Sequence, residues 1–450
     1  MNQEADILIK GGTFVTPGEK EKSGKGMVLI DGEIEEVAPT SYLKKNYDPR
    51  KEIDASRKII MPGLVDGHIH NAQIMLRGSV NDRLASLPPV WLNYLIPFEK
   101  KLTKKQVKIS SLFSMINMIK SGVTTFIEAG GPHPDEIAGA ALESGMRGVV
   151  TKSTVDTDPD VPTYQETSEI IEEYEGLIQR WHEKKDRIQI WPSLREIMLN
   201  SLELSEGLFD LKEKYNTGLT MHLAESRTEV DYCLENYGKR PVELMHDRGY
   251  LDTGVVASHM IFLNDKEIGH VAESNVNVVW CPTVDAMVMG PSRAGELLER
   301  EVNVLLGSDG GVWNNMDLLE QARQARTSSK LVSNSMYHDK VGIDVNHTLM
   351  MLTQFGEKAV GKPIGKLEEG YRADIIVLDP GTNILPGYDP EVSIINMASA
   401  GNVETTIVNG EILMEDRELK SLDESVIVEK TNRLADNLEG TIDNLKSELT

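Results

Sequence analysis

An apolar run ending in two histidines stands at residues 64–70, which read LVDGHIH. His68 and His70 are two positions apart, so in a β-strand both side chains point to one face, about 7 Å apart along the strand. One metal ion can bridge that spacing. Taken alone, the pair fits equally well two histidines packed in a protein core. The rest of the chain has to decide between these interpretations.

Seven further apolar runs resemble a strand, and longer amphipathic or polar stretches separate them. This alternation is typical of parallel strands joined by crossover helices. Eight such units predict an α/β fold, a TIM-like (β/α)8 barrel whose active site lies at the C-terminal ends of the strands. The eight predicted strands end near His70, Glu128, Lys152, Pro192, His222, His259, Cys281 and Asp309.

Both ends of the chain differ from this pattern, because short strands follow one another there with turns and no helices. The run at 27–30 precedes Asp31-Gly32, a strong hairpin signal, and a similar run at 405–408 precedes Asn409-Gly410. We expect the two ends to pair into one small β-sandwich beside the barrel.

Three units follow from these patterns. A charged amphipathic stretch from about Leu422 to near Leu445 predicts a helix that packs on the surface. The predicted division is a composite β-sandwich of residues 1–60 and 366–420, a barrel of residues 61–365 and a C-terminal helix of residues 421–450.

Composition narrows the class of partner. The 450 residues carry a net charge of −24, which opposes binding to nucleic acid or to an anionic membrane surface. The polar, acidic start and the lack of a long apolar run favour a cytoplasmic protein. Cys233 and Cys281 stand far apart, so a disulfide framework is not expected. A small-molecule partner fits best, and a homo-oligomer is left open.

Further histidines and carboxylates stand at predicted strand ends: His222 with Glu225 three residues later, His259, and Asp309 within Gly307-Ser308-Asp309-Gly310. Each alone has an ordinary structural explanation, such as Glu225 beside Arg227 at a helix start. Together with the first pair they meet on the one barrel face where catalysis occurs. Neutral imidazole and carboxylate are common zinc ligands. The predicted ligands are His68, His70, His222 and Asp309.

A catalytic metal site activates water, and the reaction then needs groups that manage protons. His259 and Asp309 suit the positioning and deprotonation of that water. Glu225 suits protonation of the leaving nitrogen. The predicted catalytic residues are therefore Glu225, His259 and Asp309.

The order of these motifs resembles the amidohydrolase superfamily, in the branch of methylthioadenosine/S-adenosylhomocysteine deaminases and triazine hydrolases. The resemblance spans nearly the whole chain and rests on residues 64–70, His222-x-x-Glu225, His259, 281–283, 307–310 and 361–365. It implies a barrel carrying a β-sandwich, a mononuclear zinc or iron site, and a hydrolytic deaminase or dehalogenase with Glu225 as proton shuttle.

One metal ion per chain is expected. Relatives with two ions use a carboxylated lysine on the fourth strand, but here that strand, residues 187–192, contains none. Lys152 closes the third strand instead. The predicted cofactor is one divalent ion, zinc, with iron as the alternative.

Three residues are predicted to contact the substrate. Glu99 matches a glutamate that the nucleoside deaminases use for ribose hydroxyls, although a solvated carboxylate at a helix start explains it as well. Arg195 stands where those deaminases have a histidine, and its planar fork suits a ring oxygen or carboxylate. Trp313 offers a stacking face or a packed loop anchor.

These differences favour a hydrolytic deaminase of a flat aminated heterocycle, of the purine, pterin or triazine type. Alternatives keep the fold: a dehalogenase or alkylamine hydrolase of triazine-like rings, or a deaminase of S-adenosylhomocysteine or methylthioadenosine. A remote alternative is a metal-binding scaffold without catalysis.

Overall fold

The computed structural model describes residues 2–18, 22–86, 89–161, 163–337 and 342–449 of the chain. The strands in these ranges are, in chain order, β1 Gln3–Lys10, β2 Thr13–Phe14, β3 Lys22–Ser23, β4 Lys25–Ile30, β5 Glu33–Pro39, β6 Tyr47–Asp54, β7 Ile59–Pro62, β8 Leu64–Ile69, β9 Val123–Glu128, β10 Arg147–Val150, β11 Ile188–Ile190, β12 Ser193–Leu194, β13 Leu219–Leu223, β14 Val255–His259, β15 Asn277–Trp280, β16 Val304–Leu306, β17 Ile375–Leu378, β18 Val403–Val408, β19 Glu411–Glu415 and β20 Glu418–Leu419.

The α-helices of the same described ranges are α1 Thr40–Asn46, α2 Asp82–Ala85, α3 Ile96–Lys101, α4 Lys104–Lys120, α5 Pro134–Ser144, α6 Thr167–Trp181, α7 Leu202–Tyr215, α8 Arg227–Tyr237, α9 Pro241–Asp247, α10 Asp265–Ser274, α11 Pro282–Val288, α12 Ala294–Glu299, α13 Leu318–Tyr337, α14 Val345–Leu352, α15 Phe355–Val360, α16 Gly381–Ile384, α17 Pro390–Met397 and α18 Glu424–Leu449. Short 3-10 helices span Asn71–Leu76 and Ala400–Asn402, and a π-helical turn at Trp91–Leu95 leads into α3.

Two parallel sheets form the centre of the molecule, in the orders β11-β10-β9-β8 and β12-β13-β14-β15-β16. Nearly every residue of these strands is buried, as expected for parallel strands covered by helices on the outside. Each of the eight predicted strands is present, and helices lie between them in sequence. The mixed α/β class is therefore confirmed.

The predicted fourth strand is broken in two. Pro192 has no N–H to donate to a ladder, and it separates β11 from β12. Backbone hydrogen bonds still continue across the break, from Trp191 N to Val150 O at 3.2 Å and from Thr220 N to Pro192 O at 3.0 Å. The prediction placed the end of this strand near Pro192, but the strand continues to Leu194. Arg195 is therefore the first residue after the C-terminal end of the strand.

The other margins of the two sheets also meet. Asp309, just past β16, donates its N–H to His68 O in β8 at 2.9 Å, and Ile69 forms a parallel bridge with Asp309. The strand ends that carry His68, His70 and Asp309 are thereby joined directly to one another.

The chain ends meet in a seven-stranded sheet of order β20-β19-β18-β17-β7-β2-β3. Within it β17 pairs antiparallel with β7, Ile375 facing Pro62. A second sheet, β5-β4-β1-β6, contains N-terminal strands only. Ile9 and Met27 of the second sheet share a core cluster with Ile60 of the first.

Helix α18 begins two residues later than expected and continues beyond Leu445. Its buried residues Leu434, Leu438 and Leu445 belong to the main core, and Glu424 pairs with Lys120 of α4 at 2.7 Å. Among the described residues, none of the helices combines the length and apolar character needed to cross a bilayer.

Candidate metal and catalytic site

The predicted ligands converge at the C-terminal ends of β8, β13 and β16. His70 Nε2 lies 3.3 Å from His222 Nε2. Asp309 Oδ1 lies 3.9 Å from His68 Nε2 and 3.8 Å from His70 Nε2. His259, at the end of β14, completes the group, its ring centroid 4.9 Å from that of His68. The structure thus brings together residues that stand up to 241 positions apart in the sequence.

The electrostatics of these histidines suit a cation. Burial lowers the pKa of His68, His70 and His222 well below the ordinary value for imidazole. The rings are therefore neutral at pH 7, which is the form that binds metal. His68 Nε2 is buried and has no hydrogen-bond partner in the described parts of the chain.

The spacing of the donor atoms also fits one ion. One donor atom from each of His68, His70 and Asp309 lies within 4.8 Å of the other two. The same holds for His68, His222 and His259. These imidazole and carboxylate donors can hold a divalent metal with a position left for water.

Four residues at these strand ends have a strained backbone. Ala224, His259, Met260 and Asp309 have positive φ values of 50°, 71°, 48° and 57°. Side chains other than glycine adopt this region at a cost, and such residues are typical of functional sites. The sharp turns aim the side chains of His259 and Asp309 into the same space.

Glu225 follows β13 and is 5% exposed. Burial raises its pKa to about 7, against the opposing influence of the nearby His259. Its backbone is fixed by Glu229 of α8, whose carboxylate accepts the N–H groups of Ala224 at 3.1 Å and of Glu225 at 2.8 Å. A carboxyl with a pKa near neutrality can both take up and release a proton.

His259 is held by a carboxylate that the sequence reasoning missed. Its Nδ1 lies 2.8 Å from Asp285 Oδ1 in α11. Burial by itself lowers the pKa of an imidazole, but the charges of Asp285 and Glu225 outweigh it and raise the pKa of His259 to about 10. A ring with that pKa donates rather than accepts at neutral pH, which makes Asp309 the better candidate for proton acceptor.

Asp66 of β8 joins this strand to the end of β16 by hydrogen bonds. It accepts from Ser308 N at 3.0 Å, from Ser308 Oγ at 2.5 Å and from His68 N at 3.3 Å. Burial raises the pKa of Asp66 to about 7. These bonds fix the backbone on both sides of the predicted ligands.

A cavity that is partly open to solvent lies beside these groups. His70, His222, Glu225, His259 and Asp309 are among its lining residues. The other lining residues are two tryptophans, three polar residues and five apolar residues: Trp91, Trp313, Gln73, Arg195, Glu196, Val90, Leu95, Val284, Val288 and Met289. Arg195 and Trp313 are thus brought to the cavity, as the sequence predicted.

Glu99 lies behind Gln73 and Arg195, further from the metal-binding residues than either of them. Its Oε1 accepts from Gln73 Nε2 at 2.6 Å and lies 3.7 Å from Arg195 Nη2. Arg195 also contacts the carbonyl of Gly130, and its Nη1 lies 3.4 Å from His70 Nδ1. Glu99 therefore reaches the cavity through Gln73 and Arg195.

Sequence reasoning missed four residues of the site: Gln73, Trp91, Glu196 and Asp285. Gln73 follows His70 by three residues, a spacing that could have been recognised. Asp285 follows the predicted strand end at Cys281 by four residues. Trp91 and Glu196 gave no signal of their own, because their positions depend on how loops fold back over the strand ends.

Comparison with known proteins agrees with this geometry. A profile of the amidohydrolase family matches residues 59–413. A 5-methylthioadenosine/S-adenosylhomocysteine deaminase of Caldicellulosiruptor saccharolyticus is 32% identical over 446 residues, covering 97% of this chain and 100% of that protein. The chain belongs to the amidohydrolase family.

Two solved structures bear on the fold. A zinc-bound adenosine deaminase from Xanthomonas campestris superposes with a TM-score of 0.90 at 24% identity, covering 98% of this chain and 100% of the other. A triazine hydrolase from Arthrobacter aurescens superposes with a TM-score of 0.87 at 21% identity, covering 96% and 99%. Both imply the TIM-barrel class of mixed α/β fold.

The resemblance inferred from the order of the motifs is therefore confirmed. So is the prediction of a metal-dependent hydrolase of the deaminase type, acting on carbon–nitrogen bonds outside peptides.

Proposed function

We propose that this enzyme removes ammonia by hydrolysis from a flat aminated heterocycle of the purine, pterin or triazine type. One observation carries the proposal: neutral histidines, Asp309 and Glu225, a carboxyl with a pKa of about 7, line the same cavity as Trp91 and Trp313. The first set suits hydrolysis, and the second suits a planar ring.

His68, His70, His222 and Asp309 would hold one divalent ion, with zinc the first candidate and iron the alternative. Zinc accompanies the related adenosine deaminase structure. Relatives with two ions bridge them with a lysine, and the lysine closest to that position in this sequence is Lys152. Its ammonium instead pairs with Glu173 at 3.0 Å. Bound there, the ion would lower the pKa of a water molecule and make it a nucleophile at neutral pH.

The chain's own residues manage the protons. In the net reaction water oxygen bonds to the ring carbon, the carbon–nitrogen bond breaks, and the amino group leaves as ammonia. Asp309 would take a proton from the water, and Glu225 would pass a proton to the ring nitrogen or the leaving amine. His259, charged and oriented by Asp285, donates a hydrogen bond to the attacking oxygen.

Residues after the strands would fix the ring. Trp313 and Trp91 offer aromatic faces for stacking, and Arg195 offers a planar pair of donors to a ring oxygen or nitrogen. Glu99 holds Arg195 and Gln73 in place, so we assign it an indirect role in substrate binding rather than direct contact.

A second candidate is deamination of S-adenosylhomocysteine or methylthioadenosine. It is favoured by the name of the relative at 32% identity over nearly the whole chain. Against it, Arg195 and Trp313 stand where those deaminases have a substrate-contacting histidine and a small serine, so the pocket differs at both positions.

We also propose a closed barrel and a composite β-sandwich for this chain. The backbone bonds at both margins of the parallel sheets support one closed (β/α)8 barrel at residues 61–365. The cluster shared by Ile9 and Ile60 supports a β-sandwich of residues 1–60 and 366–420. A cytoplasmic location remains a prediction from composition.

Steady-state kinetics with the zinc-loaded protein separates the two substrate candidates. We expect kcat/KM for a flat aminoheterocycle to exceed that for S-adenosylhomocysteine and for methylthioadenosine. A value near ~10⁴ M⁻¹s⁻¹ or above for either nucleoside, the lower end of ordinary enzyme efficiency, would favour the second candidate. Chloride or alkylamine assays on substituted triazines, run beside the ammonia assay, identify the leaving group.

A further inference from the structure

Glu196 is a buried carboxyl that lines the cavity beside Glu225. It is 1% exposed, and neither of its side-chain oxygens accepts a hydrogen bond from any donor in the described part of the chain. Its backbone N–H is fixed by Asn200 Oδ1 at 3.2 Å, directly after Arg195 at the mouth of β12. No donor of the described chain thus satisfies the carboxyl, and the side chain within hydrogen-bond reach of it is a second carboxyl, that of Glu225.

Three buried carboxylates near the cavity are satisfied by donors of the protein. Glu229 accepts two backbone N–H groups at 3.1 and 2.8 Å. Asp66 accepts from Ser308, and Asp285 bonds to His259 at 2.8 Å and accepts a backbone N–H at 3.0 Å. A buried polar group without a partner is costly and uncommon, so Glu196 calls for an explanation.

The surroundings of Glu196 define what could satisfy it. Burial, together with the negative charges of Glu229 and Glu225, raises its pKa well above the ordinary value. These carboxylates repel an anion and favour a ligand that brings N–H donors. Trp91 and Trp313 border the same cavity, so the donors belong on a planar ring.

An amidine edge, which is an exocyclic amino group next to a ring nitrogen, matches a carboxyl in either protonation state. An ionised carboxylate accepts from the amino group. A protonated carboxyl accepts from the amino group and donates to the ring nitrogen. Glu225 and the predicted metal ligands serve the edge that reacts, which leaves Glu196, directly beside Glu225, for the adjacent edge of the ring.

We propose that Glu196 is a recognition subsite for a second amidine edge of the substrate, one that is bound and not hydrolysed. The inference rests on the proposed deamination of an aminated ring and names its substrate class: heterocycles with two amino-bearing edges. Glu196 then discriminates between diamino and monoamino rings. This role is separate from those of the metal ligands and the proton shuttle.

The test uses matched pairs of rings with the zinc-loaded protein: 2,6-diaminopurine against adenine, and 2,4-diamino-1,3,5-triazine against 2-amino-1,3,5-triazine. Calorimetry gives Kd and ammonia release gives kcat/KM. We expect the wild type to prefer the diamino ring on the order of tenfold to a hundredfold, the worth of a charged hydrogen bond and well above the twofold statistical advantage of two edges.

In Glu196→Leu the preference should fall to about the statistical factor in Kd and in kcat/KM. Because Glu196 lies beside Glu225, any change in kcat should be the same for the two rings of a pair. Removing an unpaired buried carboxyl should not unfold the protein, and a melting curve checks this. The matched control is Glu229→Gln, because the carboxylate of Glu229 accepts backbone N–H groups and is not proposed to contact the substrate. Whatever the rate of this variant, its ratio of kcat/KM between the diamino and the monoamino ring should stay at the wild-type value.

Equal wild-type Kd values for both members of both pairs would overturn the proposal. So would a Glu196→Leu variant that loses activity equally on mono- and diamino rings, because that pattern belongs to a residue acting through Glu225. If calorimetry shows the preference but no ring releases ammonia, the subsite stands and the proposed deamination falls. If ammonia is released without any preference, the reverse holds.

Discussion

The two sides of the cavity are built differently. His68, His222 and Asp309 lie at or just past the ends of β8, β13 and β16, and a backbone hydrogen bond joins His68 to Asp309. Trp91 and Trp313 lie in a π-helical turn and in a loop. Strand ends fix positions that a chemical step needs, whereas loops allow the same chemistry to meet a different ring. The metal side should therefore tolerate change far less than the substrate side.

The largest effect is expected on the metal side. His70→Ala removes a neutral imidazole from the proposed ligands, so the variant should lose its bound metal and its activity. Elemental analysis of the dialysed protein measures this, with about one ion per wild-type chain expected because the ligands complete one coordination shell. The exposed His347→Ala is the control and should keep the metal. Two ions per wild-type chain, or full occupancy in His70→Ala, would refute the assignment.

The next effect concerns proton transfer. Glu225→Gln should keep metal and fold yet lose roughly 10²–10⁴-fold in kcat, because an amide cannot carry a proton to the leaving nitrogen. Glu235→Gln, an exposed carboxylate of the following helix, should behave as wild type. A Glu225→Gln variant that retains more than about a tenth of wild-type kcat would rule out the shuttle role, because the loss would be smaller than general acid–base catalysis contributes.

Changes on the substrate side should be smaller and appear in KM. Arg195→Ala removes a pair of donors and should raise KM about 10- to 100-fold. Trp313→Ala removes a stacking face and should raise KM roughly three- to tenfold. Kinetics on the best flat substrate measures both, with Trp181→Ala, outside the cavity, as the control. If both variants match wild type, the substrate side is assigned wrongly.

The smallest effect is a pH dependence of stability. The pKa values of Asp66 and Glu225 are raised to about 7, and those of Glu128 and Glu229 to about 8. Between about pH 5 and 7 the unfolded chain has lost these protons while the folded chain still holds them. These four carboxyls therefore make the unfolding free energy of the metal-free protein fall as the pH rises, whereas the three proposed ligand histidines, neutral in the folded chain, act in the opposite direction below about pH 6.5.

Urea unfolding at several pH values, with metal chelated, measures this slope. Glu225→Gln removes one of the four protons, so around pH 6 its slope should be shallower by about 1 kcal/mol per pH unit. An identical slope in the variant would mean that Glu225 titrates at its ordinary value, and its assignment as shuttle would lose its electrostatic basis.

The same contrast explains what the sequence could predict. His68, His70, His222, His259 and Asp309 were predictable because apolar runs locate strand ends, and parallel strands present those ends on one side. The broken fourth strand could not be placed to the residue, because Pro192 interrupts hydrogen bonding without ending the strand direction.

Positions that depend on tertiary packing gave no periodic signal. Glu99 was expected at the substrate but lies behind Gln73 and Arg195. Asp285 and Glu196 stand on elements whose path over the strand ends is set by packing, not by hydrophobic period. Sequence thus located the groups proposed to react better than the groups that surround and orient them.

Ammonia release by the zinc-loaded protein tests the central claim most directly. The assay offers a panel of aminopurines, aminopterins and aminotriazines to the wild type and to Glu225→Gln. We predict that the wild type releases one ammonia for each ring amino group converted to a carbonyl, and that Glu225→Gln, equally loaded with zinc, does so at least about tenfold more slowly. A fully loaded wild type that releases ammonia from no member of the panel, nor from S-adenosylhomocysteine or methylthioadenosine, would contradict the account.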